Sequence, residues 1–484
     1  MSIHLYNSLA RAKEQFVPVR PEAPVRFYNC GPTVYAPFHI GNARNFVVMD
    51  VVRRWFIHRG YRVHFVMNIT DVDDKIIAKS VEEGRPPAEV AEHYAGLFLH
   101  YLERLGNLSA TDHPRATQFI PEMIASIEAL IAKGHAYATD DGSVWFEVAS
   151  FPEYGKLSKK PLDQMAQGER VNEAQQRLKK SPLDFALWKG AKEGEPAWES
   201  PWGMGRPGWH IECSCMVHEI LGDTIDIHGG GVDLQFPHHE NEIAQAEALS
   251  GKPFARYWLH NGFLNIQGEK MSKSLGNVLN IDEVLKRVDS LTLRLFLMWA
   301  HYRSPHDVTD DALHSAKSAA RRLAQCDNEA AALLDKAAQP LGDWQRDEEL
   351  ASLEAQFGAA MDDDFNTPEA LGALFRLVTL VNSLADAARK GDTAALWRLA
   401  DALALLRDLR GVLGLTADLE PEDAPLDESG LAEQLLALLV EVRAESRKAK
   451  QFAIGDLVRD RLRAIGFALE DRPGETVWKR IDKE

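Results

Sequence analysis

The spacing of apolar positions changes along the chain, and the changes divide it. Val25–Cys30 (VRFYNC) and Tyr61–Ile69 (YRVHFVMNI) are short runs rich in β-branched and aromatic residues, as in buried strands. Between them Val48, Val51, Val52, Trp55 and Phe56 recur on one helical face up to about His58, with Gly60 just beyond. Strand, helix and strand form a βαβ unit, which predicts a parallel sheet. From about Ala88 to Lys133 the spacing is mainly helical, and His135–Val148 reads as a hairpin turning on Asp140-Asp141-Gly142. A strand returns over Asp223–Asp233, followed by a helix from about His238 to Leu249. After about residue 285 the chain reads as almost wholly helical, with Asn366-Thr367-Pro368 opening one helix. The order predicts an α/β sheet interrupted by an inserted domain and followed by helices.

Length adds a domain count. The 484 residues allow about three domains at roughly 150 residues each. No run of about 18 apolar residues occurs, so no membrane span is expected. The opening MSIHLYNSLARAKEQF lacks the basic-then-apolar order of a secretory signal. Four scattered cysteines argue against a disulfide framework and for a cytoplasmic setting.

The net charge of -17 argues at first against a nucleic-acid partner. The bases are grouped, however. Residues 155–192 hold nine Lys or Arg against four acids, and residues 441–484 hold eleven against nine. An acidic remainder with two basic segments would limit non-specific RNA binding without excluding RNA. Residues 417–430, with six acids, no bases and two prolines, read as a linker.

Two segments carry candidate phosphate chemistry. His39-Ile40-Gly41-Asn42 lies where the first strand passes into a helix, the usual ligand crevice of open α/β sheets. Helix-start N–H groups favour an anion there, and Gly41 admits a phosphate close to the main chain. Lys270-Met271-Ser272-Lys273-Ser274, flanked by Gly268 and Gly276, suits a cationic loop that neutralises a reacting triphosphate. Together, in this order, the two segments resemble the signatures of class I aminoacyl-tRNA synthetases, His-Ile-Gly-His and Lys-Met-Ser-Lys-Ser. The second is complete, whereas Asn42 replaces the last histidine of the first.

A third set of residues suits a metal. Cys30, Cys213, His238 and Glu242 would give Zn²⁺ two thiolates, an imidazole and a carboxylate, with His238 and Glu242 one helical turn apart. By spacing alone Cys215, His239 and Glu240 are equal candidates. YNCGPTVY (28–35), NITDVDDKI (68–76), GRPGWHIECS (205–214), DIHGGGVDLQFPHHENEIAQ (226–245) and MDDDFNTPEA (361–370) resemble the cysteinyl-tRNA synthetase family, from about residue 3 to Trp478. That resemblance implies the four-residue zinc set, without Cys215 or His239. It also implies L-cysteine, Mg²⁺ with ATP, and tRNA(Cys) as reaction partners, and a monomer.

The implied mechanism has two steps. Cysteine carboxylate attacks the α-phosphorus of ATP, and the terminal ribose hydroxyl of tRNA then attacks the adenylate. His39, Lys270 and Lys273 are the expected catalytic residues. ATP would meet His39, Gly41, Asn42, Gly229, Gly230, Gly231, Lys270, Met271, Ser272, Lys273 and Ser274. Trp209 would wall the thiol pocket. Zinc separates thiol from hydroxyl by coordination chemistry, so no editing domain is expected. The substrate thiolate would join as a fifth ligand or displace Glu242. Asp71, Asp73 and Asp74 read as loop-shaping and helix-capping carboxylates. Arg459, Arg461, Arg463 and Trp478 suit phosphate contact and base stacking near the C-terminus.

The expected fold class is therefore α/β: a split Rossmann-type parallel sheet with an inserted domain, an all-α helical bundle and a small C-terminal anticodon-binding domain. The expected boundaries are 1–115 and 203–300 for the catalytic halves, 116–202 for the insertion and 301–415 for the bundle. The linker is expected at 416–430 and the last domain at 431–484.

Overall fold

The computed structural model describes residues 2–159, 177–266, 269–270, 279–336, 347–416, 439–446, 448, 451–464, 467–472 and 475–480. At 269–270, 453, 463–464, 468, 470–472 and 475–480 it describes the backbone alone. The chain divides into two compact units, Met1–Leu419 and Glu420–Glu484.

The first unit opens with a hairpin, β1 (His4–Asn7) and β2 (Ala12–Gln15). The βαβ unit follows as β3 (Val25–Asn29), α1 (Ile40–His58) and β4 (Val63–Met67). Helices α2 (Asp74–Glu83), α3 (Pro87–Arg104) and α4 (Ile120–Ala132) come next. The expected helical run to Lys133 is thus broken over 105–119. Gly106 takes φ 72° there, and the chain then runs beside β4, where Met67 N–H donates to the Asp112 carbonyl and Ile69 N–H to that of Pro114. Gly106-Asn107 and Pro114 are the sequence signals of this break.

The insertion is an antiparallel sheet of β5 (Ala136–Ala138), β6 (Val144–Phe146), β7 (Phe185–Gly190) and β8 (Gly205–Pro207), in that order. Helix α5 (Trp209–Leu221) leads to β9 (Ile225–Gly231), and α6 (Glu240–Ser250) to β10 (Ala255–Asn261). The main sheet is wholly parallel in the order β10-β9-β3-β4, with Phe27 opposite both Phe65 and Ile227. Its strands come from both sides of the insertion, which is the split parallel sheet expected. The expected helix at His238 becomes regular only at Glu240, because the chain kinks just before it, where Phe236 takes φ -143° and ψ 131°. The Phe236–Pro237 peptide is cis.

Helix α1 has no single wet face. Phe46, Val47, Val51, Val52, Trp55 and Phe56 are all buried, because the helix lies between the sheet and the helices that follow. A small sheet joins β11 (Leu264–Ile266), β12 (Glu269–Lys270) and β13 (His306–Val308), with α7 (Ser290–Leu297) between the last two.

The bundle is α8 (Asp310–Asp335), α9 (Glu348–Asp362), α10 (Thr367–Arg389) and α11 (Thr393–Val412). Asn366 caps α10 as expected, its side chain accepting from Glu369 N–H. Among the described residues α10 alone has the length and apolarity to cross a membrane, and half of that stretch is buried against its neighbours.

The second unit holds α12 (Phe452–Ala464) and an antiparallel hairpin, β14 (Phe467–Arg472) with β15 (Glu475–Arg480). That hairpin departs from an all-helical C-terminal half; Pro473-Gly474 between the strands is its turn signal. Residues 417–430, the linker segment, lie outside the described residues.

Candidate active site and metal cluster

Parallel strands deliver their carboxyl ends to a cavity of about 560 Å³. Cys30 follows β3, Gly231 ends β9, and Asn261-Gly262 closes β10; all four line it, with His39, Gly41 and Asn42 from the start of α1. This is the crevice in which open α/β sheets bind ligands.

His39 is the N-cap of α1, and its Nδ1 accepts from Asn42 N–H at 3.2 Å. The Asn42 side-chain oxygen faces back to His39 N–H at 3.4 Å, completing a capping box. An accepting Nδ1 leaves the ring proton of neutral His39 on Nε2. The helix start is thereby held in shape while His39 and Asn42 still line the cavity.

Residues 279–281, downstream of the lysine segment, are tied to this turn. Ile40 N–H donates to the Leu279 carbonyl at 2.9 Å, and Ile281 N–H to that of Phe38 at 2.9 Å. Met271, Ser272, Lys273 and Ser274 lie outside the described residues, and of Lys270 only the backbone, in β12, is described.

Behind Cys30 is a fully buried polar cluster. Ligand atoms of Cys30, Cys213, His238 and Glu242 lie within 4.8 Å of one another. His238 Nε2 is 3.5 Å from Cys213 Sγ and 3.0 Å from Glu242 Oε1, while Cys30 Sγ is 3.5 Å from the same carboxylate oxygen. A second set, Cys30, His228, His239 and Glu242, meets the same distance test. Of the equal candidates in the sequence, Glu240 instead accepts from the backbone of Gly155, Leu157 and Ser158, and Cys215 packs in the apolar core around the insertion.

The electrostatics suit a cation. Burial alone would raise the Glu242 carboxyl, but His228 and His238 hold it well below its ordinary range. Burial would discharge His238, yet Glu242 and Cys213 carry it up to about 10. Donation from Cys30 brings Cys213 down to about 6 against the pull of burial, while burial pushes Cys30 well up. A buried carboxylate and two buried thiols are thus balanced by protons that a metal ion would displace on binding. Two thiols, an imidazole and a carboxylate also fit the donor chemistry of Zn²⁺.

Further histidines surround the cluster. His238 Nδ1 lies 2.9 Å from His210 Nδ1, and His228 Nε2 lies 2.7 Å from Glu242 Oε2. His239 Nε2 is 3.4 Å from Cys30 Sγ, and its Nδ1 is 2.9 Å from His260 Nε2. Burial lowers His239 well below its ordinary value and His260 to about 3. Sequence reasoning missed His210, His228 and His260. They sit on α5, β9 and β10, so only the parallel register and the packing of α5 bring them together.

Trp209, at the start of α5, stacks on His238 with ring centroids 4.2 Å apart and lines the cavity. Among the three glycines only Gly231 lines it. A Cβ on Gly229 would meet Met49 Sδ at 2.9 Å, and one on Gly230 would meet His239 Cε1 at 2.5 Å. Gly229 and Gly230 therefore serve close packing around the sheet and the histidines. Asp73 caps α2, Asp71 accepts from Thr117 N–H and Oγ–H, and Asp74 pairs with Lys189 and Arg206 of the insertion.

Of the described lysines in the basic segment, Lys156, Lys180 and Lys189 pair with Glu247, Glu147 and Asp74. Residues 160–176 lie outside the described residues. In the second unit Arg459 is exposed and pairs with Asp456 and Asp460, and Arg461 is exposed. The side chains of Arg463 and Trp478 lie outside what is described.

Residues 15–318 match the family of class I tRNA synthetase catalytic domains of the cysteine type, "tRNA synthetases class I (C) catalytic domain", and residues 356–417 match the DALR domain. A cysteine--tRNA ligase of Symbiobacterium thermophilum is 50% identical, the match covering 99% of this chain and 100% of the relative. One of Thermococcus onnurineus is 46% identical, again over 99% of this chain and 100% of the relative. In fold, a methionyl-tRNA synthetase of Mycobacterium tuberculosis solved with methionyl-adenylate matches with TM-score 0.60 at 16% identity, covering 86% of this chain and 94% of that one. A leucyl enzyme of Agrobacterium radiobacter matches with TM-score 0.57 at 13% identity, covering 82% and 85%. With full-length identity near one half and both signature segments in order, the chain belongs to the cysteine--tRNA ligase family of class I aminoacyl-tRNA synthetases.

Proposed function

We propose that the chain activates L-cysteine with Mg²⁺–ATP, releasing pyrophosphate, and transfers the cysteinyl group to the 3′ end of tRNA(Cys), releasing AMP. The observation that carries this reading is the cluster of Cys30, Cys213, His238 and Glu242 behind a cavity that His39 and Asn42 also line. Zn²⁺ held by these four residues would bind the substrate sulfur as thiolate and prefer it to a hydroxyl.

The chain's own groups position the rest. His39 Nε2–H, Asn42 and the first N–H groups of α1 face the phosphates, and Gly231 lies at the nucleoside side. Lys270 and Lys273 stabilise charge as the cysteine carboxylate oxygen bonds to the α-phosphorus and the bond to pyrophosphate breaks. Trp209 closes the thiol pocket and fixes the His238 ring. In the second step the ribose hydroxyl bonds to the cysteinyl carbonyl carbon, and AMP leaves. The bundle and residues 431–484, with Arg459, Arg461, Arg463 and Trp478, serve the tRNA. The chain acts as a cytoplasmic monomer.

X-ray absorption at the zinc edge tests the thiol site. On adding L-cysteine the number of sulfur neighbours should rise from two to three, and L-serine should leave it at two. An unchanged sulfur number with bound cysteine would overturn selection through the metal.

A further inference from the structure

Arg44 lies on α1 two residues beyond Asn42 and has no exposed surface. Its Nη1 donates to the carbonyl oxygens of Gly262 at 3.0 Å and Phe263 at 2.9 Å, and its Nη2 to that of His301 at 3.1 Å. Its Nε is buried without an acceptor. Among the described residues it has no carboxylate within salt-bridge distance.

This sets it apart from every other buried arginine among the described residues of the first unit. Arg26 pairs with Asp226, Arg206 with Asp74 and Glu195, Arg294 with Asp50, and Arg410 with Asp327. A buried cation without a counter-charge is costly to fold, and neutral donors could satisfy three carbonyls. Burial lowers Arg44 only to about 10, so it keeps its charge at neutral pH.

Its surroundings indicate what the charge is for. Gly262 and Phe263, the residues it holds, line the cavity, as do Asn42 and Asn45 on either side of it along α1. Arg44 therefore stands directly behind the wall of the cavity, in a region shielded from water, where a charge acts strongly across a short distance.

We propose that Arg44 is an electrostatic positioning residue for the nucleotide: its missing counter-charge is the triphosphate bound on the other side of the Gly262–Phe263 wall. This rests on the reading that ATP occupies the cavity. It adds a fixed positive charge that does not touch the substrate and lies outside both signature segments.

The test separates charge from shape. Affinities for ATP, AMP and neutral adenosine are measured by calorimetry on the full chain, as wild type, Arg44→Gln and Arg44→Lys. The proposal predicts that Arg44→Gln weakens ATP about tenfold, AMP less, and adenosine within about twofold, as expected when one charge acts on ligands of decreasing charge. Arg44→Lys, which keeps the charge and loses the forked contact, should stay within about threefold of wild type for ATP. Equal losses for ATP and adenosine in either variant, or an unchanged ATP affinity in Arg44→Gln, would overturn it in favour of a purely structural clasp. If Arg44→Gln does not fold, Arg44→Met, which also removes the charge, is read by the same comparison. Wild type that binds none of the three would overturn the nucleotide reading as well.

Discussion

His228 Nε2 lies 2.7 Å from Glu242 Oε2, and both side chains are fully buried. The other carboxylate oxygen, Oε1, faces His238 and Cys30. An ionised carboxylate only accepts, so His228 must donate, and it thereby fixes which oxygen Glu242 presents to the cluster. His228→Ala should lower zinc affinity by roughly 10–100-fold, as loss of outer-shell partners does. Competition with a chromophoric chelator measures this, and an unchanged circular dichroism spectrum shows that the fold survives. Unaltered zinc affinity would remove His228 from the account.

Gly31 follows Cys30 at the cavity. A Cβ there would lie 1.7 Å from the Asn68 carbonyl oxygen, so the backbone must move. Gly31→Ala should displace Cys30, and with one ligand lost the zinc content should fall below about 0.5 per chain. Metal analysis of the purified variant checks this; full zinc occupancy would contradict it.

Arg294 of α7 ties the end of the bundle to α1 and to the end of α3. It donates to the carbonyls of Leu105 and Leu413 and pairs with Asp50, and Gly414 beside it takes φ 65°. A Cβ at Gly414 would lie 2.3 Å from Arg294 Nη2. Gly414→Ala combines an unfavourable backbone region with displacement of a buried ion pair, so it should cost about 2–4 kcal/mol. Urea unfolding measures this; a loss under about 1 kcal/mol would show that the guanidinium has room to shift.

Asp74 joins α2 to Lys189 and Arg206 of the insertion. Burial would raise its carboxyl, but those two cations bring it down to about 2. A lowered folded-state pKa contributes stability above the ordinary carboxyl value, which is lost as pH falls toward 2. Because Asp74 is half-exposed, water screens the pair and the contribution at pH 6 should be only about 0.5–1 kcal/mol. Asp74→Asn should therefore be less stable than wild type at pH 6, with the gap narrowing by pH 3. A gap that widens on acidification would reverse the assigned sign.

What the sequence disclosed follows the range of each interaction. The βαβ unit, the hairpin on Asp140-Asp141-Gly142 and the Asn366 cap are local patterns, and each appears where expected. Helix α1 was legible by its apolar spacing, but its burial on all sides was not, since that depends on helices more than 200 residues later. Cys30 and Cys213 meet only through strand order, so their spacing was uninformative and the family resemblance had to supply the ligand set. His228 and His260 offered no signal, because a histidine in an apolar strand looks alike whether it packs or bonds to a carboxylate. Gly229 and Gly230 were legible as sites of close approach, yet the group that approaches is a methionine or a histidine.

The central claim is that this cavity joins cysteine to ATP and knows it by its sulfur. ATP–pyrophosphate exchange, measured on zinc-loaded protein with L-cysteine and then with L-serine at equal concentration, tests it most directly. The account predicts exchange with cysteine and, with serine, a rate lower by at least about 10⁴-fold, the discrimination reached when a site is built for one polar group. Exchange with serine at a comparable rate, or none with cysteine, would contradict it.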